Sequence, residues 1–193
     1  MKKFTILIVA GLALLPLALS AQASAKFSAA GSKLFLANGK DRAQLLTFVP
    51  MAPGKDAGSW RITWQGGHRI AELLIPDGGI SLPQFTRKLR VELDIMVEKG
   101  TNLLSADLRL LDSQGEVCAM NSSRGGVYTG RMTAKWEFAP GQEFKMAWGK
   151  NVNHQIDYPA CITNLAFQIQ GTEGEVTVGE LRLFADPADP AER

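Results

Sequence analysis

The chain has 193 residues, with 21 Lys and Arg against 19 Asp and Glu, a formal charge of +2, 46% hydrophobic content and two cysteines. So small a charge excludes a phosphate-neutralising surface, and with it nucleic acid as a partner. The hydrophobic content excludes a disordered chain, and two cysteines exclude a disulfide-dense miniature scaffold.

Residues 1–25 read as a secretory signal peptide. Lys2 and Lys3 give a basic start, Phe4 to Leu19 is an apolar run, and the small-residue sites Ala21-Gln22-Ala23 and Ala23-Ser24-Ala25 follow. With Pro16 inside it, the run is too short and too weakly flanked for a stop-transfer anchor, and the cleavage region has no Cys to carry a lipid. The expectation is a periplasmic or secreted protein with no membrane span after cleavage. Cleavage after Ala25 leaves 168 residues with no net charge, because only Lys2 and Lys3 are lost.

From Leu34 to Phe184 the hydrophobic period is two. Strands are expected at Gln44 to Val49, Ser59 to Trp64, Arg69 to Ile75, Lys88 to Glu98, Leu104 to Leu111, Glu116 to Met120, Thr133 to Phe138, Glu143 to Trp148, Ile162 to Gln170 and Glu175 to Phe184. The clearest is the run in which Leu89, Val91, Leu93, Ile95 and Val97 alternate with Arg90, Glu92, Asp94 and Met96. About ten strands and no convincing helix predict one all-β domain over residues 26–185, an antiparallel sandwich or jelly roll, with a frayed tail at 186–193.

Turn chemistry separates the runs. Asp112-Ser113-Gln114-Gly115 and Ala139-Pro140-Gly141-Gln142 read as type I turns, and Gly171-Thr172-Glu173-Gly174 as a hairpin, each joining neighbours within one sheet. Two longer polar loops, Asn121 to Met132 and Gly149 to Ala160, are where a sandwich places function. In the last strand Val176 and Val178 differ in parity from Leu181 and Leu183, so burying all four requires a bulge at Gly179-Glu180. In an oxidising compartment Cys118 and Cys161 either form a disulfide or remain separate buried thiols. Neither His68 nor His154 stands at metal-ligand spacing from a Cys, so no metal site is expected.

The segment from Leu89 to Asp186 resembles the galactose-binding-like jelly rolls that include many carbohydrate-binding modules. The resemblance rests on Leu89-Arg90-Val91-Glu92-Leu93-Asp94-Ile95, Leu108 to Gly115, Trp136-Glu137-Phe138, Ile162 to Ile169 and Val176 to Leu183. It implies a jelly-roll fold and a glycan ligand. It also implies a structural calcium held by two acids in the final strand, but Gly179-Glu180 occupies those positions, so the expected cofactor set is empty.

Glycan binding calls for an aromatic face beside planar polar groups. Trp60 and Trp64 share a strand face with Ile62, Trp136 with Phe138, and Trp148 with Phe144 and Met146, so all four tryptophans read first as core. The candidate rim residues are Tyr128, Asn153, His154, Asp157 and Tyr158 in the two loops. Arg90, Glu92, Arg109 and Gln168 are the candidates on a concave sheet, provided their strands are neighbours. The bland alternative is a solvated face of cross-strand ion pairs. No nucleophile elbow or phosphate loop is present, and the Glu92 and Asp94 strand only loosely resembles a paired-carboxylate glycosidase strand. The leading expectation is therefore a non-catalytic glycan-binding protein. The alternatives are a periplasmic structural or assembly protein that contacts another envelope protein, and a glycoside-cleaving enzyme.

Overall fold

Alternation of apolar and polar side chains becomes two layers of strand, because each run can bury only one of its faces. The computed structural model of the chain describes residues 33–37, 47–49, 52–54, 59–64, 70–98, 100–122, 127–170 and 173–185. The expected leader and the expected tail lie outside these residues. The strands are β1 (Lys33–Ala37), β2 (Thr47–Val49), β3 (Ala52–Pro53), β4 (Trp60–Trp64), β5 (Ile70–Leu74), β6 (Ile80–Ser81), β7 (Leu89–Val97), β8 (Asn102–Leu111), β9 (Glu116–Asn121), β10 (Gly130–Phe138), β11 (Met146–Gly149), β12 (Cys161–Gln170) and β13 (Gly174–Ala185). Ten of these thirteen are four residues or longer, in line with the expected number.

The large sheet has the order β11-β9-β8-β12-β5-β1-β2, with β6 also paired to β12, and the small sheet has the order β10-β7-β13-β4-β3. Every pairing among them is antiparallel. The inner faces supply the core. From the small sheet come Leu89, Val91, Leu93, Ile95 and Val97, with Trp136, Phe138, Val178 and Leu183; from the large sheet come Leu73, Leu108, Leu110, Leu165, Phe167 and Ile169. Each such side chain contributes about 1.5–3 kcal/mol by leaving water.

The expected bulge is present. Val178 pairs with Ile95 and Leu181 with Leu93, with a register shift between them, so Val176, Val178, Leu181 and Leu183 all face inward. The Asp112 to Gly115 turn also forms as expected. Gly115 N–H donates to Asp112 C=O at 3.2 Å, and β8 pairs with β9 beyond it.

Several expectations are corrected. The turn at 139–142 closes through Gln142 N–H to Ala139 C=O at 3.2 Å, but the strands on either side lie in different sheets: β10 in the small one and β11 in the large one. Likewise β12 lies in the large sheet and β13 in the small one, so the two are not paired as the expected hairpin requires. Stacked sheets are only about 10 Å apart, so a short connection can step between layers as well as fold back within one, and local turn chemistry does not distinguish the two. Strand β11 starts at Met146 rather than Glu143, because Phe144 N–H donates to His154 C=O of the facing loop at 2.8 Å. Strands β1, β3 and β6 lie outside the runs of clear alternation.

The two cysteines do not form a disulfide; both thiols are free. Cys118 pairs with Leu110 and Cys161 with Leu111, on strands that flank β8 from opposite sides. Leu110 is buried and Leu111 only half-buried, and adjacent strand positions face opposite sides of a sheet, so the two sulfurs are divided by the sheet as well as by a strand. Burial, reinforced by the Glu116 and Asp112 carboxylates, pushes the Cys118 thiol up to about 12. Burial also raises the Cys161 thiol. In the native protein without reductant, Cys118 should resist an alkylating reagent even at mildly alkaline pH, and after denaturation both thiols should react. A denatured, unreduced chain with no reactive thiol would show that the pair is bridged after all.

Candidate functional site

The outer face of the large sheet is built in cross-strand rows. Leu74 of β5, Asn164 of β12, Arg109 of β8, Ala119 of β9 and Met146 of β11 are successive partners in one row. The next row holds Glu72, Ala166, Asp107 and Asn121. Arg109 reaches diagonally across β12 to Glu72, its Nη2 lying 2.7 Å from Glu72 Oε1, with only 9% and 1% of the two side chains exposed. Ala166 lies between them in the register and is itself 1% exposed, so a larger side chain there would stand in the path of the bridge.

Trp148 completes this arrangement. The Arg109 guanidinium carbon lies 5.4 Å from the centre of the Trp148 ring, a cation–π contact that holds the indole over the sheet. Trp148 nevertheless remains 37% exposed, with Met146 at 42% and Leu74 at 38% on the same face. This overturns the expectation that Trp148 is core. The strand phase is as anticipated, but at the sheet edge β11 turns Met146 and Trp148 outward while Phe144, ahead of the strand, is buried. Trp136 is buried as expected, Trp60 is half-buried, and the Trp64 side chain lies outside the described residues.

The four residues expected on one concave sheet are divided. Arg109 and Gln168 lie in the large sheet, whereas Arg90 and Glu92 are on β7 of the small sheet, at the far surface of the sandwich. The condition that their strands be neighbours fails because β7 and β8, consecutive in sequence, belong to different layers. Arg90 and Glu92 form a charged lattice instead. Arg90 Nε lies 3.1 Å from Glu92, and Lys135 Nζ and Arg182 Nη2 are each 3.5 Å from it. Arg182 also grips Asp94 with two hydrogen bonds of 2.6 and 2.9 Å. Hydrogen bonding to Arg182 holds the Asp94 carboxyl below the usual carboxylate range, so it stays ionised at neutral pH and is poorly placed to donate a proton.

The rim residues mostly build their own loop. Glu116, completely buried, accepts hydrogen bonds from Asn153 N–H and His154 N–H, both at 2.8 Å. The Asn153 side-chain amide donates to Asp157 at 2.8 Å, and its oxygen accepts Gln155 N–H at 2.7 Å. His154 Nδ1 is 2.8 Å from Phe144 C=O and, facing a carbonyl, acts as the donor. Asp112 accepts Gln114 N–H, Glu116 N–H and Asp157 N–H. The density of Asn, His and Asp here is thus accounted for by a loop that satisfies its own backbone. Tyr158 is half-buried, burial raises its phenol pKa, and its hydroxyl donates to Pro83 C=O at 3.4 Å. Tyr128 bridges Leu103 and packs against the core rather than standing at a free rim.

Sequence reasoning named Arg109 but missed Glu72, the carboxylate that fixes it. Glu72 is the one charge in β5, an otherwise apolar strand, and that is the signal that could have marked it as needing a buried partner of opposite sign. Glu116, directly after a turn and in phase with Cys118, could have been read as an inward carboxylate. Among the described residues, no three His, Cys, Asp or Glu are grouped to hold a metal. Where the resemblance implies calcium-binding acids, Gly179 offers no side chain and Glu180 lies 3.6 Å from Arg182, so the residues present do not fit a calcium ion.

No protein-family model and no curated protein sequence matches the chain. Among solved structures, PfGH50B is similar over 86% of this chain at 10% identity with a TM-score of 0.54, and this chain spans 24% of it. A family 11 carbohydrate-binding module from Clostridium thermocellum, solved with a β-1,3-1,4-mixed-linked tetrasaccharide, is similar over 86% of this chain and 89% of its own, at 14% identity and a TM-score of 0.45. A CBM22-1 xylan-binding domain from Paenibacillus barcinonensis Xyn10C is similar over 86% and 87%, at 10% identity and a TM-score of 0.39. At such identities likeness speaks to fold alone. The antiparallel two-sheet sandwich expected from the sequence is the fold observed.

Because Glu116 gives the 150–158 loop two charge-assisted hydrogen bonds in a fully buried position, Glu116→Ala should lower unfolding free energy by about 3 kcal/mol in urea denaturation. It should also release the amides of Asn153 and His154 to hydrogen exchange. A loss below about 0.5 kcal/mol would show that the loop does not depend on this anchor.

Proposed function

We propose that the chain is an exported, non-catalytic protein that binds a carbohydrate across the outer face of the large sheet. In this reading Trp148 offers its ring to the C–H face of a sugar, and Arg109, Asn164 and Gln168 supply donors and acceptors to its hydroxyls. The observation that carries it is the indole of Trp148, partly exposed and held by a guanidinium that a buried carboxylate fixes in turn. A binding aromatic ordered before the ligand arrives loses little entropy on contact, which favours weak, hydroxyl-rich ligands. The row from Leu74 to Met146 crosses five strands, about 19 Å, room for an oligosaccharide of roughly four units. The leader at residues 1–25 supports a periplasmic or secreted location, and among the described residues no helix is long and apolar enough to cross a membrane.

Met146, next to Trp148 on β11, and Leu74 at the far end of the row favour a second reading, contact with an envelope protein, since exposed apolar side chains on the same face as an aromatic also suit a protein partner. Titration of the protein with cello-, xylo- and agaro-oligosaccharides, followed by Trp fluorescence and calorimetry, separates the two. The glycan reading expects binding by at least one series and a loss of about tenfold or more in Trp148→Ala with unchanged thermal stability. No binding by any series, together with a defined envelope partner that Trp148→Ala releases, would establish the protein-contact reading instead. Release of reducing ends from any of these sugars by the wild type would overturn the non-catalytic assignment.

A further inference from the structure

The small sheet has a hole in its outer face where the bulge falls. Outward side chains there run in cross-strand rows, one being Arg131 of β10, Met96 of β7 and Thr177 of β13. In the next row Thr133 of β10 pairs with Asp94 of β7, and the register shift sets two residues of β13, Gly179 and Glu180, against Asp94, of which Gly179, close against it, has no side chain. A Cβ at Gly179 would meet Asp94 Cβ at 3.3 Å, so the absent side chain is what opens the space. The result is a cavity of about 160 Å³ lined by Asp94, Met96, Arg131, Thr133, Thr177 and Ser59, the last only 7% exposed.

We infer that this cavity is a second binding site, on the surface opposite Trp148, for one small hydroxylated ring or polyol. Its lining has the two-sided character such a ligand needs. The Met96 side chain and the Thr methyls give an apolar floor for C–H groups, and the Thr hydroxyls, the Asp94 carboxylate and the Arg131 guanidinium give polar edges. The polar edge is already held in place, since Thr133 Oγ1 donates to Asp94 Oδ1 at 2.9 Å and Arg182 fixes the same carboxylate from the other side. The charged residues of the lining are Asp94 and Arg131, one of each sign, so the cavity wall carries no net charge, which suits a neutral ligand better than an anion or a cation. The bulge thus has two effects. It keeps Val176, Val178, Leu181 and Leu183 in the core, and it clears space on the outside for one ring.

The site is independent of the Trp148 face, so its test must read position as well as affinity. The full chain, labelled with 15N, is titrated with glucose, galactose, xylose and glycerol, following the amides of Thr133, Thr177 and Gly179. The expected result is saturable shifts at these amides with at least one probe at millimolar affinity, unchanged in Trp148→Ala. Gly179→Ala should weaken that binding by at least about tenfold. Should Gly179→Ala fold poorly, Thr177→Val, which keeps the shape and β-branching of the strand residue, should produce a similar weakening. Three results would each overturn the site: no saturable shift at these amides with any probe, shifts confined to the Trp148 face, or shifts that survive both variants. If oligosaccharide binding at Trp148 persists in any of these cases, only the second site falls.

Discussion

Arg109 can hold Trp148 only because Glu72 holds Arg109. Two charges on the outer face of a sheet would ordinarily lie in water and contribute little. Here the pair is almost wholly buried, so each charge depends on the other to offset its desolvation, and losing one would strand its partner. The small side chain of Ala166 between them keeps the path open. The guanidinium that Glu72 holds then stands 5.4 Å from the centre of the Trp148 ring and holds the indole in turn. The sheet, the ion pair and the aromatic ring form one chain of dependence from fold to surface.

The other surface of the sandwich follows a different logic. Arg90, Glu92, Asp94, Lys135, Glu180 and Arg182 link β10, β7 and β13 by charge pairs that are partly accessible to solvent. Pairs of this kind add modestly to stability and strongly to register, since like charges opposite one another would be penalised. The contribution of Asp94 is present at neutral pH and fades as acid protonates it: its folded-state pKa lies below the unfolded one, so the loss runs from the ordinary carboxylate range down through the depressed value. The lattice therefore favours the folded sandwich at neutral pH, and the Gly179 cavity is a gap within it.

The layers were legible in the sequence because period two is a direct consequence of burying one face. Leu93 and Phe167 are fully buried, and the parity fault between Val178 and Leu181 is a bulge where arithmetic required one. The assignment of strands to sheets was not legible, because β7 and β8 follow one another in sequence and yet lie in opposite layers. That single fact separates Arg90 and Glu92 from Arg109 and Gln168. The loop candidates show a related limit of composition. Asn153, His154 and Asp157 make hydrogen bonds within and around their own loop, which Glu116 anchors, and composition alone does not distinguish a residue that serves its own loop from one that serves a ligand. Trp148 was hidden because alternation gives the phase of a strand but not which of its faces is solvent-exposed at the edge.

The dependence of Trp148 on the buried pair is tested most directly by a double-mutant cycle on Glu72→Gln and Arg109→Met, measured by equilibrium unfolding and by the near-ultraviolet circular dichroism of the indole. Each single variant should destabilise the protein and reduce the indole signal, with a coupling energy of at least about 2 kcal/mol between the two sites. Additive effects, or single variants in which the Trp148 signal is unchanged, would contradict the account.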